Sequence, residues 1–436
     1  MQPPSRRRFP LALLLVAGVL GAVVAFTVVM LQRRPAPKPP PSLAPPPDWS
    51  RLDAYQQSIA RPRFAEEMED VFTVSDAWRK FIEVDEQTAI IETGPAGKSG
   101  TDRYTLRFAP DADHARPPKR WWRAASELGP APAGKPLDGL RIAIDPGHLG
   151  GPWARMEERW FQPAGGGKPI TEGDLALKVA KLLEPRLEAL GARVSLVRDS
   201  SDPLTRWRPE SLLEAGLVPK KPGATSAETR KLAEKLFYRT AEIRARARKI
   251  NEDIRPDLVL CLHFNADVWG DPRHPRLVPR NHFHILINGA FTDSEVARPD
   301  QRLELLLRLL QGIHGEEAAL GATAANVFAR RTGLPPFRYP PHSNRARNIG
   351  GNPYLWARNL LANRLYLCPV LFYEPYVMNN AETIARIQAG DYEGLETIAG
   401  TPHPSIFREY AAAVAAGLAK YYANARIAGK STPKSR

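Results

Sequence analysis

The stretch Leu140-Arg-Ile-Ala-Ile-Asp-Pro-Gly-His148 decides the reading of the fold: a short apolar run breaks on Pro-Gly and delivers a histidine. Proline has no N–H for a ladder and glycine accepts almost any φ, so Pro146-Gly147 makes the tight turn that presents His148. Three more apolar runs follow: Val194-Ser-Leu-Val197, Leu258-Val-Leu-Cys-Leu262 and Pro369-Val-Leu-Phe-Tyr373. They alternate with longer helix-like stretches. That alternation predicts an α/β fold: a twisted, mostly parallel sheet flanked by helices on both faces.

In open α/β sheets, ligands bind beyond the carboxyl ends of the strands. Three of the four runs deliver His148, His263 or Glu374 at that end. Between the first two runs, a helix from about Glu172 to Leu190 opens with Thr171-Glu-Gly-Asp174. Thr171 is expected to cap it and Asp174 to reach back, as in a capping box, which leaves Glu172 in the first turn beside the strand ends. Hydrolytic zinc sites take three ligands from His, Asp and Glu and keep a fourth position for water. His148, Glu172 and His263 can supply that set. On spacing alone Glu157 and Glu158 compete, being nearer His148, and a histidine after a strand is often only a hydrogen-bonded loop residue.

The residues in order carry a resemblance. Asp145-Pro-Gly-His148, Glu172 opening a helix, Val197-Arg-Asp with Asp202-Pro-Leu-Thr-Arg206, Arg246 before Asn251, His263-Phe-Asn-Ala266, and Leu371-Phe-Tyr-Glu374 with Asn379 resemble the ordered motifs of zinc-dependent N-acetylmuramoyl-L-alanine amidases. The resemblance spans roughly Leu140 to Tyr422. It implies one zinc ion per chain on His148, Glu172 and His263, with Glu374 as the catalytic carboxylate. It further implies peptidoglycan as substrate, cut at the amide between the lactyl group of N-acetylmuramic acid and the L-alanine of the stem peptide. Asp145 and Asn265 are expected to shape loops or support ligands. This chain departs from the family at Leu149-Gly-Gly-Pro-Trp153, at Phe264, and at the bulky neighbours of Glu374, Tyr373 and Pro375-Tyr376. Some family members carry a helix that covers the metal until a partner removes it, so an activator protein is a further expectation.

Outward from this core, residues 136–425 read as the catalytic domain, with insertions near 207–238 and 289–367, and 426–436 as a basic tail. Residues 49–135 read as a small α+β region without an assignable motif. Residues 1–34 hold Arg6-Arg7-Arg8 and then an uncharged apolar stretch, 11–30, of about 20 residues, roughly the length a membrane-spanning helix needs. A cleavable signal has a shorter core, so an uncleaved single-pass anchor is expected. The Pro-rich linker 35–48 would hold the domain off the cell membrane on the periplasmic side, a placement that rests on the chemistry because Arg33, Arg34 and Lys38 balance the leading arginines.

A net charge of +14 favours an anionic partner, but no block of basic and aromatic residues of the nucleic-acid-binding kind occurs, so no nucleic acid is expected. The two cysteines, Cys261 and Cys368, lie in apolar runs and read as small core residues, a disulfide needing geometry that sequence does not give. His282 and His284 share a face of a strand-like run, where a structural or substrate-contact role is the default over metal binding. The basic segment around Pro341-His-Ser-Asn-Arg-Ala-Arg-Asn348 suits an anionic glycan or peptide, or a solvated loop. Two other classes stay open beside the amidase: a metallopeptidase or deacetylase on another extracellular amide, and an inert wall-binding regulator with the same fold.

Overall fold

The structure, a computed structural model, describes residues 43–95, 102–219, 222–340 and 343–428. The anchor expected in 1–34 lies outside them. Among the described residues no helix is long and apolar enough to cross a membrane.

The four apolar runs form strands of a seven-stranded sheet: β1 (Arg141–Pro146), β2 (Arg193–Leu196), β3 (Leu258–Leu262) and, after intervening elements, β7 (Val370–Pro375). Three more strands complete it: β4 (Phe283–Ile287), β5 (Arg347–Asn348) and β6 (Leu355–Ala357). The order is β5-β6-β4-β7-β3-β1-β2. The pairs β1/β2, β1/β3, β3/β7 and β4/β6 are parallel, whereas β4/β7 and β5/β6 are antiparallel. The fold is therefore mixed α/β with a mostly parallel central sheet.

Side-chain alternation along the strands divides the core into two layers. Ile142, Ile144, Leu258, Leu260, Leu262, Ile285 and Leu371 face the helices α1 (Glu172–Ala189), α5 (Ile313–Thr332) and α6 (Ile406–Ala428), where the largest apolar cluster lies. Ala143, Val259, Cys261, Leu286, Val370 and Phe372 point the other way, toward Ala247 of α3 (Glu242–Arg248), Ile250 and Tyr366. The second layer matters for function, because odd-numbered His263 and even-numbered Glu374 and His284 extend the same parity onto its face.

Residues 289–367 supply α4 (Pro299–Leu310), α5, β5 and β6. The α+β region contributes the strands Ile82–Val84, Thr88–Glu92 and Arg103–Arg107, and its apolar side chains share a cluster with Leu303, Leu306 and Leu310 of α4. Residues 207–238 form a short helix, Pro209–Glu214, and α2 (Ser226–Leu236), and they pack Leu212, Ala233 and Phe237 around Leu149. Arg426, the first residue of the expected tail, donates from the last turns of α6 to the carbonyls of Gly129, Pro136 and Asp138.

Two local expectations change. Thr171 is the N-cap of α1, but its hydroxyl donates to Asp174 Oδ2 (2.6 Å) instead of accepting a helix N–H. Asp174 then serves the loops, accepting from Gly151 N (2.8 Å) and Ser201 Oγ (2.6 Å). The carboxylate has stronger donors in reach than the frayed helix amides, and it takes them. Cys261 and Cys368 are both free and buried, and burial raises both thiols above their ordinary range.

Candidate metal centre

Strand parity and helix geometry bring His148, Glu172 and His263 together at the carboxyl ends of β1 and β3. One ligand atom from each lies within 4.8 Å of the others. Glu172 stands between the two rings: His148 Nε2 is 3.3 Å from Oε2 and His263 Nδ1 is 3.1 Å from Oε1. Burial works against its charge, yet the imidazoles of His148 and His263 hold the carboxyl well below the usual range, at about 2. Phe264 N donates to Oε1 at 3.3 Å, and Arg159 Nε lies 3.5 Å from Oε2.

Each ring is fixed from behind. Glu157 Oε1 is 2.7 Å from His148 Nδ1, and Glu157 Oε2 accepts from Leu149 N at 2.7 Å. That carboxylate fixes the ring with Nδ1 turned to Glu157 and Nε2 turned to Glu172. His263 stacks on Phe372, with centroids 4.2 Å apart and planes 18° apart. Gly147 lies against its other side so closely that a Cβ there would sit 2.2 Å from the ring.

Beneath the rings runs a buried ion network. Arg246, on α3, donates to Asp145 Oδ1 (3.0 Å), Glu242 Oε1 (2.8 Å), Pro146 O (2.8 Å) and His148 O (2.9 Å). Burial disfavours its charge, but Asp145 and Glu242 hold the guanidinium above its ordinary range. Tyr366 OH donates to the other oxygen of Asp145 at 2.6 Å. Asp145 is thus committed to the network, not to a metal.

Glu374 ends β7 and lines the same cavity of about 650 Å³ as the three metal-type side chains. Burial, with the charge of Glu172 nearby, pushes its carboxyl up to about 8. Asn265 shapes the loop: its side-chain carbonyl accepts from Ala266 N at 2.7 Å, and its backbone N–H donates to Pro375 O at 2.9 Å. Asn379 holds the adjacent turn through Asp267 N and Arg276 O. Residues 207–238 edge the cavity through Tyr238 and do not fill it. Of the basic segment 341–348, the first two residues lie outside the described ones.

The donor set and its surroundings fit a zinc ion. Two imidazoles and a carboxylate are the ligands that hydrolytic zinc takes, and all three converge from one side. Among the described residues no other group of three His, Cys, Asp or Glu side chains meets the same proximity.

Glu157, a rival ligand on spacing alone, lies behind His148, and Glu158 is on the surface beside Lys231 (2.9 Å). His284, for which the sequence suggests a structural or substrate-contact role, is the cross-strand partner of Glu374.

No family model matches this chain, and no curated protein does. Among solved structures, Ami1 of Mycobacterium abscessus, an N-acetylmuramyl-L-alanine amidase, aligns with 65% of this chain and 99% of its own, at 18% identity and a TM-score of 0.35. AmiC2 of Nostoc punctiforme, an N-acetylmuramoyl-L-alanine amidase, aligns at 16% identity, 65% of this chain and 98% of its own, with the same TM-score. CwlD of Clostridioides difficile, an amidase solved in complex with the GerS lipoprotein, aligns at 12% identity, 65% and 98%, also at 0.35. The structure neighbours of this chain are N-acetylmuramyl-L-alanine amidases.

Proposed function

We propose that this protein is a zinc-dependent N-acetylmuramoyl-L-alanine amidase, tethered through residues 11–30 to the cell membrane and hydrolysing peptidoglycan on the periplasmic side. The observation that carries the reading is the convergence of His148, Glu172 and His263 within 4.8 Å, with Glu374 facing the same cavity. The ordered run of motifs from Asp145 to Asn379 supports the choice of bond.

Zinc bound there would supply a Lewis acid for the scissile carbonyl and lower the pKa of a water. The protein's own groups do the rest. Glu374 accepts the proton of the attacking water and passes it to the leaving amine. Glu157 and Phe372 hold the two imidazoles in place, so little reorganisation is needed when substrate arrives.

Digestion of purified sacculi, read by mass spectrometry, tests this. Release of peptides with a new L-alanine amino terminus is expected, and chelator or Glu374→Ala should abolish it. Zinc binding without such peptides would refute the bond assignment. A phosphatase reporter fused after residue 48, active only outside the cytoplasm, tests the placement.

A further inference from the structure

The wall of the cavity formed by β4 and β6 carries groups that this chemistry leaves unused. His284 is the direct cross-strand partner of Glu374 in the antiparallel pair, so both side chains leave the same face of the sheet into one cavity. The sheet order puts β4 beyond β7 from β3 and β1, so this wall lies on the opposite side of the cavity from the His148–Glu172–His263 cluster. The His284 imidazole is 4% exposed, and its Nδ1 is buried without a hydrogen-bond partner. Buried polar side chains normally have one, and an orphan at a cavity wall points to a ligand group.

The surroundings define what that group is. Phe337 N donates to Phe283 O at 3.0 Å, which lays the Phe337 ring on His284 with centroids 4.8 Å apart. Tyr339 meets His284 edge-on at 5.8 Å, and the charge of Arg358 lies near its hydroxyl. Arg358 lines the cavity and makes no ion pair among the described residues. Of the other guanidiniums lining the cavity, Arg246 is held by two carboxylates, Arg159 stands beside Glu172, and Arg239 lies over the Tyr238 ring. An unpaired guanidinium beside a neutral imidazole and a phenol selects a planar anion with two acceptor oxygens. Burial holds the His284 pKa down to about 3, so the ring offers hydrogen bonding and not a second positive charge.

We propose that Arg358, Tyr339 and His284 form a subsite for a carboxylate of the peptide substrate, placed beside Glu374 on the side away from the metal-type cluster. The subsite rests on the amidase reading for the identity of that peptide.

Two probes separate the two ideas: N-acetylmuramoyl-L-alanyl peptides whose next residue is glutamate, or glutamine in its place. Their binding to the full, zinc-loaded chain carrying Glu374→Gln is measured by calorimetry, so turnover is not required. Preference for the glutamate peptide by tenfold or more is expected, with Arg358→Gln removing the preference by weakening that peptide alone. Arg358→Lys should retain part of it, and Tyr339→Phe should reduce it. Equal binding of the two peptides, no binding of either, or an unchanged preference in Arg358→Gln would overturn the subsite. If the preference is found but sacculi are not cut at L-alanine, the amidase reading fails alone. If sacculi are cut and the preference is absent, the subsite fails alone.

Discussion

Adding one methyl group at Gly147 should uncouple the metal centre from the fold. A Cβ at this position would stand 2.2, 2.4 and 2.5 Å from Cε1, Nε2 and Nδ1 of His263, where ordinary contact begins near 3.4 Å. The ring would have to retreat by roughly 1 Å, and it has nowhere to go, because Phe372 is stacked 4.2 Å behind it and Glu172 holds Nδ1 at 3.1 Å. Overpacking of this kind costs about 1–3 kcal/mol of stability. Where the ring yields by leaving its ligand position, the same strain of about 1–3 kcal/mol is taken from metal binding, about 5- to 150-fold in affinity. Gly147→Ala should therefore lower zinc affinity by about one to two orders of magnitude while the chain stays folded. Competition against a chromophoric chelator reads the affinity, and urea unfolding of the metal-free protein reads the fold. Gly94→Ala, with nothing within 4 Å of the new methyl, is the control and should change neither. Zinc affinity within threefold of the parent in Gly147→Ala would refute the assignment of His263 as a ligand in this geometry.

Arg246→Met should strip Asp145 and Glu242 of their counter-charge in a buried setting, lowering unfolding free energy by about 3–5 kcal/mol in urea titrations. Glu157→Gln should leave the fold intact but weaken zinc binding by about 10–100-fold, since the amide holds the His148 tautomer less firmly. His314, 9% exposed, is held neutral, its pKa lowered to about 4 by burial first and then by Arg63 and Arg308. Its unfolded counterpart takes a proton near pH 6.5, so the parent loses stability as pH falls below that value, until about pH 4. His314→Gln removes the linkage, and the stability difference between parent and variant should shift by about 2 kcal/mol between pH 7 and pH 5, in favour of the variant at the lower pH. No shift in that difference would mean that His314 is accessible to protons in the folded chain.

The apolar runs ending in His148, His263 and Glu374 were legible because strand and turn chemistry are local. So was Glu172, which needs only a helix start. The role of Glu157 was not, since its claim on His148 depends on how residues 149–158 fold back, and nothing in nine residues of spacing distinguishes a ligand from the group behind it. The direction of β4 was also hidden. An apolar run reads the same in either sense, and only the antiparallel pairing with β7 turns His284 from a residue on an anonymous strand into the neighbour of Glu374. The expected capping box failed for a related reason: Ser201 and Gly151, which capture Asp174, come from loops that sequence spacing does not bring together.

His148 itself adopts φ +56°, a left-handed conformation that costs a non-glycine residue of order 1–2 kcal/mol. Glycine would relieve that cost but would bring no imidazole. The strain is held by bonds on both sides of the residue: Arg246 Nη2 grips its carbonyl at 2.9 Å, and Glu157 grips its Nδ1 and the following N–H at 2.7 Å each. These are charge-assisted bonds, each worth about 1.5–3 kcal/mol, so together they outweigh the backbone penalty. The twisted backbone is what turns Nε2 toward Glu172 instead of along β1. A residue held against its own preference by three charged contacts, with its other nitrogen turned to a carboxylate shared with a second histidine, has the placement that the proposed metal site requires.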